Sequence, residues 1–169
     1  MSKKFVIDLE TFGLESQTDR ILSIGVLNVE TEEVKVFLNV DEKIMLEEFW
    51  AYVINATEFI TFNGDSFDLP YLIKRSLINN VRISNLPSSH PDLRKICNGF
   101  WVSYEKFGKG TLRDWAAALG EPVVTSPGNE MPALFVKGDF DTIIKHNTED
   151  VILTNKLYKR AIDCNLIRN

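Results

Sequence analysis

Alternation and periodicity divide the chain into strand and helix segments. Phe5-Val6-Ile7-Asp8-Leu9 is a short, mostly apolar run of the kind that forms a buried strand. Arg20 to Val29 (RILSIGVLNV) is a second such run, and Glu33 to Val40 (EVKVFLNV) alternates like a third. The Glu30-Thr31-Glu32 corner between them predicts a hairpin. From about Asp41 to Ala56 the spacing turns helical, with Ile44, Phe49, Tyr52 and Val53 on the apolar side. Thr57 to Asn63 (TEFITFN) predicts a fourth strand ending in Asn63-Gly64-Asp65. Asp68 to Asn79 then predicts a helix with Leu69, Leu72, Ile73 and Leu77 facing inward. Three strands, a helix, a strand and a helix specify an α/β protein, a mixed sheet with helices packed on it.

The second half is less regular. Ser84 to Asp92 holds two prolines and three serines. Thr111 is an N-cap with Asp114 at the capping-box position, Leu112, Trp115, Ala116 and Leu119 form one face, and Gly120 and Pro122 end that helix. Val123 to Gly138 reads as a loop rich in Pro and Gly, and Asp139 caps a long last helix running to about Asp163. On that helix Ile143, Asn147, Asp150, Thr154, Leu157 and Ala161 fall within about 40° of one line. A carboxylate in the middle of a core-facing stripe is costly unless it is paired or binds a metal. His146 lies one turn before Asp150, on nearly the same side.

Composition narrows the class. With 169 residues, 44% hydrophobic and 25% charged, the chain is expected to form a single domain over residues 1–169, not a disordered, collagen-like or coiled-coil protein. The longest apolar runs are far too short to span a membrane, and the start carries two lysines without the apolar run of a signal peptide. Cys97 and Cys164 form neither a CxxC pair nor a zinc set, so reduced thiols and a cytoplasmic location are expected. The net charge of -5 excludes a strongly basic nucleic-acid binder but hides a gradient. Residues 1–58 carry 5 basic against 12 acidic side chains, and residues 59–118 carry 8 against 5. A net negative protein still acts on nucleic acid where bound metal ions and a local basic rim offset its field.

The candidate chemistry lies at three places. Asp8 and Glu10, two apart at the end of the first strand, point to one face and so aim two carboxylates at the same space. Such a pair repels unless a cation lies between them or one is protonated. Asn63-Gly64-Asp65-Ser66-Phe67-Asp68 follows the fourth strand at the sheet's carboxyl edge. There Asp65 or Ser66 is read as an N-cap, while Asp68 is either a ligand or a complement to the helix dipole. His146 and Asp150 supply the third place; Glu149 should face away into solvent. Asp8, Glu10, Asp68 and Asp150 are four hard oxygen donors without thiols, a set for Mg²⁺ or Mn²⁺ rather than zinc. Two such ions ~3.5–4 Å apart would clamp the attacking and leaving oxygens of a phosphodiester, with His146 as general base on the attacking water.

FVIDLETFGLE resembles the first motif of the DEDD-type 3′–5′ exonucleases of the ribonuclease H-like superfamily. TFNGDSFDLPYL resembles their second motif and HNTEDVILTNKL their third. Gly128 to Phe135 followed by Gly138-Asp139 is also similar to a branch of prokaryotic exonucleases found alone or beside helicase domains. The resemblance implies a ribonuclease H-like mixed sheet of about five strands, the second antiparallel, flanked by helices. It implies release of nucleoside 5′-monophosphates from 3′ ends, with a polymerase or helicase as candidate partner. Single-stranded or frayed DNA or RNA ends fit best, because a small acidic domain lacks the broad basic surface needed to clamp a duplex. By it, Asp8, Glu10 and Asp150 hold one ion, and Asp8 and, partly through water, Asp68 hold the other. His146 departs from the histidine subgroup, which has four residues before the last aspartate where this chain has three, as in the tyrosine subgroup.

Substrate contacts are expected from Thr11, Phe12, Leu14, Asn63, Phe67 and Asp92. Phe12 and Leu14 either wedge the terminal base or pack in the core, and Asp92 either supports the site or caps a helix. Lys74, Arg75, Arg94, Lys95, Lys106, Lys109 and Arg113, with Tyr104 and Phe107 between them, form a candidate phosphate-guiding rim. Trp50, Trp101 and Trp115 read as structural. Three rival functions stay open on the residues alone: a structure-selective endonuclease with the same ions, a catalytically inert nucleic-acid or partner-binding module, and a nucleotide hydrolase.

Overall fold

A computed structural model describes residues 3–99, 110–123 and 128–167. Its sheet has the order β3-β2-β1-β4, formed by β1 (Lys4–Thr11), β2 (Ile21–Asn28), β3 (Val34–Leu38) and β4 (Glu58–Ile60). As expected, β2 runs antiparallel to β1, with Asp8 opposite Gly25, while β4 pairs parallel to β1, with Phe5 opposite Phe59. The helices are α1 (Glu42–Tyr52), α2 (Asp68–Ile78), α3 (Leu93–Cys97), α4 (Leu112–Ala118), α5 (Met131–Lys137) and α6 (Phe140–Asp163). Among the described residues no helix is long and apolar enough to cross a membrane.

Four strands stand among the described residues where about five are expected. At the β4 edge, Ser89 and Asp92 make only isolated parallel bridges to Glu58 and Thr61. Pro87 precedes this stretch and Pro91 lies within it, and a residue without an amide hydrogen cannot extend a ladder. The segment expected to be a loop between Val123 and Gly138 contains a 3₁₀ turn (Gly128–Glu130) and α5. Pro132 lies in the first turn of α5, where its missing N–H costs nothing, and Gly138 closes it in the left-handed conformation at φ 77°. Both residues are helix punctuation as well as loop markers.

Period-two alternation sorts β1 onto two faces. Phe5, Ile7 and Leu9 enter a core shared with α1 and α2, while Val6 joins Val151, Leu157 and Tyr158 of α6 on the other side. Asp8 and Glu10 follow Val6 on the α6 face, so the strand's own pleat aims both carboxylates at the last helix. The β1–β2 register shifts between Glu10 and Thr11, an irregularity of the kind that re-aims side chains beside a site.

Two helix faces differ from expectation. On α1 the buried apolar residues are Met45, Leu46, Phe49 and Trp50, followed by Val53, and Glu42 is buried at its start, whereas Ile44 is 42% exposed. On α2 Leu69 and Leu72 are buried but Leu77 is 72% exposed, and Arg75 and Ser76 take the inner positions. Each buried polar group there has a partner. Trp50 Nε1 donates to Ser76 Oγ at 2.8 Å, and Arg75 pairs with Glu42 at 2.6 Å. Cross-helix partners of this kind let polar residues displace aliphatic ones from an inner face.

Candidate active site

Five side chains expected to act together line one cleft of about 290 Å³: Asp8 and Glu10 from β1, Asp68 from the first position of α2, and His146 and Asp150 from α6. Asn63 and Phe67 from the β4–α2 turn line it too. The turn itself is tight. Asn63 takes a left-handed φ of 76°, and a Cβ at Gly64 would fall 2.1 Å from Thr61 Oγ1, so only glycine fits beneath it.

Asp68 is anchored by the backbone N–H of Leu9, which donates to its Oδ1 at 3.0 Å and ties α2 to the acid-bearing strand. His146 Nε2 lies 3.0 Å from Glu10 Oε1 and 3.3 Å from Asp150 Oδ2. The one-turn spacing of His146 and Asp150 therefore brings imidazole and carboxylate together. Asn147, adjacent to the histidine, donates to Asp8 Oδ2 at 2.7 Å.

The electrostatics are those of crowded acids. Burial, then the negative charges of Asp150, Asp68 and Glu10, hold the Asp8 carboxyl well above the ordinary carboxylate range, against the opposing Asn147 hydrogen bond. Burial pushes Asp68 up to about 7, with Asp92 and Glu10 adding repulsion against the bonds its carboxylate accepts. Glu10 is raised by burial, an effect countered by His146. Burial alone would favour neutral His146, but hydrogen bonds and charge from Asp150 and Glu10 outweigh it and raise the imidazole to about 10. The imidazolium is the cation that balances the carboxylates it touches.

This donor set fits a divalent metal. One ligand atom each from Glu10, His146 and Asp150 lies within 4.8 Å of the others, and Asp8 and Asp68 add carboxylate oxygens to the same cleft. Buried hard oxygen donors that repel one another are stabilised when a dication replaces the shared proton.

The remaining expected residues fall elsewhere. Thr11, Phe12 and Leu14 line an adjoining groove of about 440 Å³, which shares Leu9, Glu10, Phe67 and Gly128 with the cleft. Phe12 and Leu14 are 43% and 80% exposed, so neither packs in the core. Asp92 caps α3 and accepts the N–H groups of Asn63, Asp65 and Arg94, which consumes its carboxylate in shaping the turn. Asp65 is not the α2 cap. The N-cap is Phe67, without a side-chain bond, and Asp65 instead pairs with His90 and Lys95. Glu149 is half-buried rather than solvated.

Of the expected rim, Arg113 lines the cleft, Lys74 is exposed, and Arg94 donates to Asn63 Oδ1. Lys95 is held by Asp65 and Arg75 is buried against Glu42, so Arg75 cannot guide phosphates. Trp101, Tyr104, Lys106, Phe107 and Lys109 lie outside the described residues. Trp115 is half-buried, its Nε1 donating to Asn98. Sequence reasoning did not single out Asn147 as a site residue, though a polar side chain on a core-facing line was a visible signal. Thr111 and Leu112 at the cleft wall are legible only as helix cap and helix face, and Gly128 only as the start of the stretch similar to prokaryotic exonucleases.

Comparison with known proteins now bears on this geometry. Residues 5–162 match the model of the RNase H superfamily. The chain belongs to that superfamily. A relative from Methanocaldococcus jannaschii, the uncharacterized protein MJ0365, is 34% identical over 97% of this chain and 98% of its own length. The chain is also similar to parts of two DNA polymerases. DNA polymerase 1 of Sulfurisphaera ohwakuensis is 25% identical over 69% of this chain, and the DNA polymerase of Thermococcus litoralis is 33% identical over 53%. These matches cover only 15% and 6% of the polymerases' own lengths. The family B DNA polymerase of Pyrobaculum calidifontis shares the fold, with a TM-score of 0.80 and 17% identity over 96% of this chain and 25% of that one.

Proposed function

We propose that this RNase H superfamily domain is a DEDD-type, metal-dependent 3′–5′ exonuclease. It would act on single-stranded or frayed nucleic acid and release nucleoside 5′-monophosphates. The observation that carries the reading is the convergence of Asp8, Glu10, Asp68, His146 and Asp150 on one cleft. Similarity to stretches of DNA polymerases supports a nucleic-acid substrate, and makes a polymerase or helicase a reasonable partner class.

Asp8, Glu10, Asp68 and Asp150 would hold two Mg²⁺ or Mn²⁺ ions, which when bound polarise the phosphoryl group and lower the pKa of the attacking water. With Glu10 and Asp150 as ligands, His146 Nε2, which lies against both, would be the group placed to accept the proton of the attacking water. Phe12, Leu14 and Phe67 offer apolar surface beside the acids for the terminal base, with Thr11 and Asn63 at its polar margin. Arg113 brings a guanidinium suited to a phosphate oxygen. If the groove beside the acids seats the terminal base, exonucleolytic cleavage would be favoured over internal cleavage. Residues 1–169 would act as one domain, and two unpaired cysteines fit action in the cytoplasm.

The test is a time course on 5′-labelled single-stranded DNA and RNA with Mn²⁺, beside EDTA and Asp8→Ala controls. A ladder shortening from the 3′ end and lost in both controls is expected. Internal fragments would point to an endonuclease, and intact substrate with folded protein would point to a binding module.

A further inference from the structure

Building on the metal-site reading above, we infer that Asn147, held by Ser23 and seated over Gly25, is the positioning residue that fixes Asp8 for cation binding. Asn147 and Ser23 are both fully buried, Asn147 on the core-facing line of α6 and Ser23 on β2. A buried amide on such a line is costly unless all its hydrogen-bonding groups are used. Here they are used, and two of its three bonds go to one residue. Nδ2 donates to Asp8 Oδ2 at 2.7 Å and to the Asp8 backbone oxygen at 3.2 Å, while Oδ1 accepts from Ser23 Oγ at 2.9 Å.

The order of donors and acceptors sets the direction of the device. The Asp8 backbone oxygen can only accept, so the NH₂ end of the amide faces Asp8, and the Ser23 hydroxyl donates to the Oδ1 on the other side and holds it there. The terminal torsion of an aspartate is broad, and an N–H gripping one oxygen removes that freedom. Room for the amide comes from Gly25, which faces Asp8 across the β1–β2 ladder. A Cβ there would fall 2.8 Å from Asn147 Nδ2. Three elements, β1, β2 and α6, thus meet on one carboxylate, as expected of groups that orient a metal ligand from behind.

The test uses the full chain and Mn²⁺ as probe. Calorimetric affinity, thermal melting and steady-state kinetics are compared for wild type, Asn147→Leu, Ser23→Ala and the double variant. Asn147→Leu should weaken Mn²⁺ binding ~10–100-fold and lower kcat in step, with KM for the nucleic acid unchanged. Ser23→Ala should shift both in the same direction by less, and should add nothing in the Asn147→Leu background, because it acts through the amide. A lower melting temperature with wild-type Mn²⁺ affinity would reduce Asn147 to packing and overturn the inference. If Asn147→Leu fails to fold, Ser23→Ala decides by the same criterion. Absence of Mn²⁺ binding by the wild type overturns the metal-site reading and this inference with it; wild-type binding matched by Asn147→Leu overturns the inference alone.

Discussion

Glu42, between α1 and α2, and the four carboxylates of the cleft differ in kind in their surroundings. Glu42, at the start of α1, accepts from Arg75 Nε and Nη2, Asn79 Nδ2 and the backbone N–H of Ile21. It is a charge with a counter-charge and with its oxygens hydrogen-bonded. Of the four cleft acids, His146 touches only Glu10 and Asp150, and burial with mutual repulsion raises Asp8, Glu10 and Asp68 above their ordinary range. The first arrangement holds α1 and α2 together. The second stores repulsion that a divalent cation would relieve, and that contrast with a structural ion pair is what the metal-site proposal rests on.

The largest expected effect separates the two directly. Asp150→Asn should abolish hydrolysis while the metal-free protein still folds, because the repulsion removed from Asp8 and Glu10 offsets the weakened pairing with His146. Loss of folding in that variant, seen as a lowered melting temperature, would contradict the contrast. His146→Ala should lower the rate ~10²–10⁴-fold without abolishing Mn²⁺ binding, and an unchanged rate would pass the base role to another group. Glu42→Ala should behave in the opposite way. It strands Arg75 in the interior and should cost about 3–5 kcal/mol in chemical denaturation, with turnover per folded molecule unchanged.

The comparison sharpens further with pH. Asp68 titrates at about 7 in the folded chain against an ordinary 3.8, so it favours the folded state below about 4 and loses that contribution as pH rises to 7. His146, raised from 6.5 to about 10, loses its contribution between those values in the same direction. Melting temperature in EDTA should therefore fall as pH climbs from about 4 to 10. Asp68→Asn should flatten the lower part of that fall. A melting temperature that rises from pH 5 to 7 in EDTA would count against the repulsion described for the cleft.

Much of the candidate site was legible in the sequence because it depends on local periods. The two-residue spacing of Asp8 and Glu10 settles their shared face, and the one-turn spacing of His146 and Asp150 settles theirs. Both caps, Asp139 of α6 and Thr111 with Asp114 of α4, are local chemistry and were readable for the same reason. The inner faces of α1 and α2 were misread at Ile44 and Leu77. The burial of Glu42, Arg75 and Ser76 depends on partners from other elements, which no periodicity reports. Asn147 shows the same limit: its place on the α6 line was visible, but Ser23 lies 124 residues away. Likewise α5 was hidden because Pro132 and Gly138 serve a helix end as readily as a loop.

The most direct test of the central claim is a calorimetric Mn²⁺ titration of the wild-type protein, Asp8→Ala and Glu42→Ala, followed by thermal melting of each with metal and with EDTA. Wild type and Glu42→Ala should bind Mn²⁺ and be stabilised by about 2.7 kcal/mol at a hundredfold excess over Kd, seen as a raised melting temperature, while Asp8→Ala should lose most of both. Binding unaffected by Asp8→Ala, or no heat and no thermal shift in the wild type, would contradict the assignment of the crowded acids as a metal site.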